Sequence, residues 1–338
     1  MNKKTHTIVC GSRHSVALMS NGTVQCWGNN SKKQCDPLFR TFTDVIQIAC
    51  GKDHSVALLS NGTVRCWGSN SVNQCDPVHL TFTDVIQIAS GDYHSVALLS
   101  NGTVRCWGCN YYNQYNSKQH LTLVDVIQIA CGSMHTIALL YNGTVKCWGN
   151  NTCNQCDTLH STFTNVIQVA CGHLHSVVLL TNGTVRCWGN NDKNQCDPVH
   201  LTFTNVVQIV CGTHHSVVLL SSGAVQCWGD NFENQCDPLH RTFTDVIQVA
   251  CGRHHSIALL SNGTVECWGD NKWHQCDPLC HTFTNVVQVA CGSYHSVALF
   301  SNGTIQCWGD NFDNQCDPVH LTLTDVMIPC DEKCVLLW

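Results

Sequence analysis

Ile48-Ala49-Cys50-Gly51-Lys52-Asp53-His54-Ser55-Val56-Ala57-Leu58-Leu59-Ser60-Asn61-Gly62-Thr63-Val64-Arg65-Cys66-Trp67-Gly68 is one copy of a motif that this chain states eight times. Its histidines, His14, His54, His94, His135, His175, His215, His255 and His295, recur every 40 residues, with one step of 41. The Trp-Gly pairs beginning at Trp27, Trp67, Trp107, Trp148, Trp188, Trp228, Trp268 and Trp308 keep the same interval. A period of this size is the mark of stacked or radially arranged units. The 338 residues therefore divide into repeats 1–40, 41–80, 81–120, 121–161, 162–201, 202–241, 242–281 and 282–321, followed by a partial ninth, 322–338. No room is left for a second module.

Within a repeat the pattern is that of short strands. Asp44 to Ala49 is apolar and β-branched, and Cys-Gly plus two variable residues make a turn. His-Ser-Val-Ala-Leu-Leu gives a second strand, and an Asn-Gly turn leads into Thr-Val-Arg-Cys-Trp-Gly, the third. Asn-Gly between two apolar runs predicts a two-residue type I′ hairpin. Thr81-Phe82-Thr83 offers a short outer strand. No segment has helical periodicity. All-β units of about 40 residues predict a single β-propeller with one blade per repeat. Eight blades are expected, with seven as the alternative, and the partial ninth repeat closes the ring or caps an exposed edge.

Gly-x-x-His-Ser-(Val/Ile)-(Ala/Val)-Leu followed by Asn-Gly-Thr-Val-x-Cys-Trp-Gly-x-Asn-x-x-x-Gln resembles the repeats of the regulator of chromosome condensation family. The likeness runs over residues 6–338. The short, even units look more like the compact propellers of the bacterial β-lactamase-inhibitor type. The resemblance implies a propeller that binds proteins through its loops. The family's nuclear exchange factor acts on a small GTPase through an inserted wedge, and no insertion longer than one residue interrupts the spacing here. Guanine-nucleotide exchange thus stands as an alternative on family analogy alone.

The 27 cysteines sort by repeat position. Eight precede the tryptophan, seven precede the Cys-Gly glycine and seven follow the glutamine, as Cys66, Cys50 and Cys75 do in the second repeat. The third repeat has Ser90 and Tyr115 at the last two positions. That joint loss suggests intra-repeat disulfides 25 residues apart: Cys10–Cys35, Cys50–Cys75, Cys131–Cys156, Cys171–Cys196, Cys211–Cys236, Cys251–Cys276 and Cys291–Cys316. Loops of that size are worth roughly 3 kcal/mol each in the chain-entropy model. Reduced packing cysteines are the competing reading. A metal site is not expected, because Cys-Gly-x-x-His supplies only two ligands. The histidine is expected to hold a blade together, its ring nitrogens bonding backbone of a neighbouring turn. A second set, His79, His160, His200, His240 and His320, offers a pH-sensitive surface.

Nothing in the motif predicts an enzyme or a cofactor. Neighbouring strand residues point to opposite faces, so His-Ser is not a base beside its nucleophile. A net charge of -6 argues against nucleic acid, and no apolar run approaches a membrane span. Residues 1–169 hold 11 Lys/Arg and 8 Asp/Glu, net +3, whereas residues 170–338 hold 6 and 15, net -9. Two lysines at the start, with no apolar segment after them, lead to the expectation of an intracellular protein, an oxidised particle or virion being the alternative.

Variable loop positions are where a repeat protein recognises its partner. Phe232, Trp273 and Phe312, read as occupying matching positions, predict an aromatic stripe on one rim, with Tyr111 and Tyr112 as a further pair. Asp230, Glu233, Asp270, Asp310 and Asp313 surround the stripe and predict a basic protein partner. The function expected is a non-catalytic protein-binding scaffold. A self-assembling structural protein of a particle or coat, stabilised by the intra-repeat disulfides, is the runner-up; the uneven charge could steer a basic partner or the other half of a second copy.

Overall fold

The computed structural model describes residues 8–36, 43–75, 83–115, 123–157, 163–196, 203, 205–236, 244–277 and 283–316. Each repeat forms one three-stranded antiparallel sheet whose strands follow chain order. The first sheet holds β1 (Ile8–Cys10), β2 (His14–Leu18) and β3 (Val24–Gly28). The second holds β4 (Val45–Cys50), β5 (His54–Leu59) and β6 (Val64–Gly68). The pattern continues to the eighth, with β22 (Val286–Cys291), β23 (His295–Phe300) and β24 (Ile305–Gly309). The middle strand is buried over nearly its whole length, which is why it reads as a continuous β-branched and aliphatic run.

Neighbouring inner strands lie side by side, β1 against β4 and, across the ends of the chain, β1 against β22. The ring is therefore closed, with eight blades rather than seven. Ile8, Ala17 and Trp27 share one apolar cluster with Val297, Leu299 and Ile305. The described residues seal the ring through the first and eighth blades. The partial repeat 322–338, expected to close or cap it, lies outside the described residues, as does the N-terminal stretch 1–7.

Three sets of bonds run from blade to blade, the first of them a complete circle. Each motif histidine bonds through Nε2 to the hydroxyl that follows the histidine of the next blade: His14 to Ser55 at 2.8 Å, His94 to Thr136 at 2.9 Å, His175 to Ser216 at 2.9 Å. The last of the eight, His295 to Ser15 at 2.8 Å, returns to the first blade. The partner is thus a side chain, not the backbone expected from the sequence. Ser176 and Ser296 each donate to a glutamine carbonyl, so their oxygens accept from a neutral Nε2–H imidazole. Next, in every blade but the eighth the tryptophan indole N–H reaches the carbonyl of the preceding blade's glutamine, as in Trp67 to Gln34 at 2.9 Å and Trp27 to Gln315 at 3.1 Å; that of Trp308 makes no such bond. Finally, the inner-strand glutamine pairs both ways with the next inner strand: Gln47 Nε2 donates to the Ile88 carbonyl, and the Ile88 N–H donates to Gln47 Oε1. Buried polar groups thereby become seams between blades.

The glycine of Cys-Gly has a steric reason. A Cβ on Gly11 would sit 2.2 Å from His14 Cε1 and 2.6 Å from the carbonyl oxygen of Gly51 in the next blade. Only glycine leaves room for the imidazole to fold back against it. The hairpin differs from the type I′ expectation. Gly62 has φ of 78°, whereas Asn61 is not in the left-handed region. Gly62 N–H bonds the Leu59 carbonyl, and Leu59 N–H bonds the Thr63 carbonyl. This is the three-residue loop in which a turn is followed by a left-handed glycine bulge. Asn61 is selected because its Oδ1 accepts from both the N–H and the hydroxyl of Thr63.

The outer strand proposed for Thr81-Phe82-Thr83 falls largely outside the described residues. At the equivalent positions of other repeats the described aromatics are not in strands. Phe163 and Phe203 pack on Trp188 and Trp228, with ring centroids 5.9 and 5.3 Å apart.

Candidate partner-binding face

Antiparallel order fixes which loops share a face. The turn between inner and middle strands and the loop after Trp-Gly emerge at one end of every blade, and the Asn-Gly-Thr hairpins emerge at the other. Contacts agree: Asn29 N–H bonds the Arg13 carbonyl, and Gly28 packs on the same residue. Both variable segments of each repeat therefore converge on one face. The opposite face carries the near-constant hairpins.

At the centre of the variable face, the Cys-Gly-x segments of seven repeats and Ser90-Gly91-Asp92 of the third line a cavity of about 400 Å³ on the axis. Backbone hydrogen bonds belt this mouth, with Ser12 N–H to the Lys52 carbonyl, Lys52 N–H to Asp92, and Ser293 N–H back to Ser12. Side chains extend the belt outward. Lys52 Nζ donates to the Tyr93 hydroxyl at 2.9 Å, and Arg253 donates to that of Tyr294 at 2.6 Å. The tyrosine hydroxyl and neighbouring carboxylates hold the Lys52 ammonium above its ordinary range.

Further out stand the aromatics. Tyr111, Phe232 and Phe312 are 89%, 84% and 86% exposed; Trp273 is 54% exposed and Tyr112 40%. Trp273 does not match the other two in register. Lys272 holds the position equivalent to Phe232 and Phe312, and Trp273 follows it.

The acidic surround is not as expected. Asp230, Asp270 and Asp310 are buried, each accepting from a backbone N–H two residues on, that of Phe232, Lys272 and Phe312. They shape the loops that present the aromatics. Glu233 pairs with Lys272, and Asp313 pairs with Arg13 at 3.2 Å across the seam between last and first blades. The five carboxylates that suggested a basic partner are thus occupied within the protein. Asp-x in a loop reads as charge in sequence, and the shared Asp-Asn-x-x-x-Gln spacing was the available sign of a cap.

The cysteines also depart from expectation. Cys75 Sγ lies 2.7 Å from Cys66 Sγ, not against Cys50. Cys50 packs with Cys26 and Cys35 of the preceding repeat. The middle strand β5 stands between β4 and the loop after β6, so two cysteines 25 residues apart cannot meet within a blade. The same holds for the other six expected pairs: Cys10 lies with Cys307, Cys131 with Cys106, Cys171 with Cys147, Cys211 with Cys187, Cys251 with Cys227 and Cys291 with Cys267. Ser90 and Tyr115 accordingly belong to two different clusters. The histidines expected on the connecting segments, His79 to His320, lie outside the described residues.

One feature was missed in the sequence. Ile46, Ile86, Ile127, Ile167, Val207 and Ile247 are 39–56% exposed, at the bulged start of the inner strands of the second to seventh blades. They ring the axis at the constant face. A β-branched residue recurring just before the strand glutamine was the available signal.

A closed all-β ring with constant seams and one variable face defines the class: an eight-bladed β-propeller. The regulator of chromosome condensation (RCC1) repeat matches residues 6–34, 45–74, 85–114, 126–155, 166–195, 206–235, 246–275 and 286–315, and the chain belongs to that family. Comparison with curated protein sequences gives no significant match. Among solved structures, human WBSCR16 is similar with a TM-score of 0.59 and 22% identity over 77% of this chain and 88% of that one. Prp20p from Saccharomyces cerevisiae, described with its binding properties to Gsp1p and histones, aligns with a TM-score of 0.57 and 22% identity over 82% and 90%. The CRINKLY ectodomain of the Arabidopsis thaliana receptor kinase ACR4 aligns with a TM-score of 0.57 and 19% identity over 83% and 96%. At these identities the likeness is one of fold.

Proposed function

We propose that this protein is a non-catalytic scaffold that binds another protein on its variable face. The observation that carries the reading is the exposure of Phe232, Trp273, Phe312 and Tyr111 on loops held rigid by buried caps, on the face where every variable turn emerges. Large aromatics on a rigid frame are natural anchors for an interface. Binding of Gsp1p and histones by the yeast propeller gives a precedent for protein ligands on this fold. With its carboxylates internally paired, the face selects by shape and aromatic contact rather than by charge. Phe232→Ala, Trp273→Ala and Phe312→Ala combined should weaken partner capture at least about 100-fold, since each lost anchor costs on the order of 1 kcal/mol or more. Thermal stability should not change, because the side chains are exposed. Unchanged capture, measured by titration against the recovered partner, would sink the proposal.

Self-association is the second reading, favoured by the apolar ring at the constant face. Two copies stacked through it would leave both variable faces outward. Ile86→Lys with Ile247→Lys should then convert a dimer to a monomer in sedimentation velocity. A wild-type protein that sediments as a monomer at high concentration would exclude it.

A further inference from the structure

The thiols gather in clusters of three at the blade seams. Cys26 and Cys35 of the first repeat pack with Cys50 of the second. Cys147 and Cys156 meet Cys171, and Cys227 and Cys236 meet Cys251. In four of the blades the two that hydrogen-bond through sulfur come from the same blade, nine residues apart. Cys66 and Cys75 sulfurs are 2.7 Å apart, while Cys187 and Cys196, like Cys227 and Cys236, are 3.1 Å apart. A movement of about 1 Å or less brings such sulfurs to the disulfide bond length of about 2.05 Å.

We propose that these nine-residue pairs are disulfide-forming sites, one in each of seven blades: Cys26–Cys35, Cys66–Cys75, Cys147–Cys156, Cys187–Cys196, Cys227–Cys236, Cys267–Cys276 and Cys307–Cys316. Each bond pins the loop of the variable face to the outer strand of its own blade. The third blade is the exception, because Tyr115 replaces the loop cysteine there. The second blade retains its pair although Ser90 replaces the third thiol of that cluster, so the pair does not require it.

The oxidant is a small-molecule disulfide, RSSR. The loop cysteine, half-buried in Cys75, Cys196 and Cys236, attacks as thiolate and releases one RS⁻, leaving a mixed disulfide. The strand cysteine then gives up its proton, attacks the protein sulfur and releases the second RS⁻. Two thiols are oxidised and RSSR is reduced to two RSH. Burial pushes the strand thiols well above their ordinary range, as at Cys66, Cys187 and Cys227, so the second step is slow in the folded ring. The inner-strand cysteines, Cys50 among them, remain thiols.

The test is independent of the binding reading. Native full-length protein is incubated with excess oxidised glutathione to a constant mass, alkylated under denaturing conditions and digested without reductant. The expected result is fourteen cysteines protected, in peptides linked nine residues apart, with Cys50, Cys131 and Cys171 alkylated. A Cys50→Ser variant should keep the Cys66–Cys75 link, and Cys66→Ser should lose that link alone. Links between cysteines 25 residues apart, or full alkylation of all 27 after incubation, would overturn the proposal.

Discussion

Between pH 6.5 and pH 4 the protein is expected to unfold cooperatively, taking up about eight protons, one for each histidine of the seam ring. Burial holds His14 and His94 down at about 4, and His54, His135, His175, His215, His255 and His295 at about 3. The unfolded chain binds a proton on each at about 6.5. Below that value the unfolded state carries more protons than the native ring, so stability rises with pH through the window and is complete above about pH 7. One histidine contributes at most about 1.4 kcal/mol per pH unit, so eight together approach about 11 kcal/mol per unit. Typical domains have about 5–15 kcal/mol in all. The ring should therefore fail by about pH 5. Melting temperature by circular dichroism from pH 7.5 to 4.5, with proton uptake from calorimetry in two buffers, measures this. A melting temperature constant between pH 7 and 5 would mean that the imidazoles are not buried as neutral donors.

The second large effect is steric. Gly132→Ala places a Cβ 2.2 Å from His135 Cε1 and 2.5 Å from the carbonyl oxygen of Gly172 in the next blade. The imidazole cannot swing away without losing Ser176, its partner at 3.0 Å, and the neighbouring carbonyl is backbone. Overpacking of this kind costs about 3 kcal/mol or more. For a chain of this size that lowers the melting temperature by about 4 °C. A change under about 2 °C by scanning calorimetry would show that the seam has slack the geometry denies.

The repeat, the strand pattern and the turn residues made the fold legible, because each expresses a local requirement. Gln-x-Ala-Cys-Gly and His-Ser-Val-Ala-Leu are visibly strand and turn. What crosses between blades was not legible. His54 and Ser95 are 41 residues apart and meet only because the ring brings β5 beside the third blade. The cysteines failed for the same reason. Counting within repeats paired Cys50 with Cys75, whereas the partners of Cys50 are one repeat away. The aromatics of the variable face were legible as exposed loop residues. The carboxylates around them were not, since nothing local separates a capping Asp230 from a solvated one.

The central claim is that constant and variable residues occupy opposite faces and that recognition belongs to the variable one. Hydrogen exchange by mass spectrometry, on the protein alone and with its recovered partner, tests it most directly. The account predicts new protection in the turns at Arg13, Asp53 and His254 and in the loops around Phe232, Trp273 and Phe312. The Asn-Gly-Thr hairpins, such as Asn61 to Thr63, should be unchanged. Protection confined to those hairpins would contradict it.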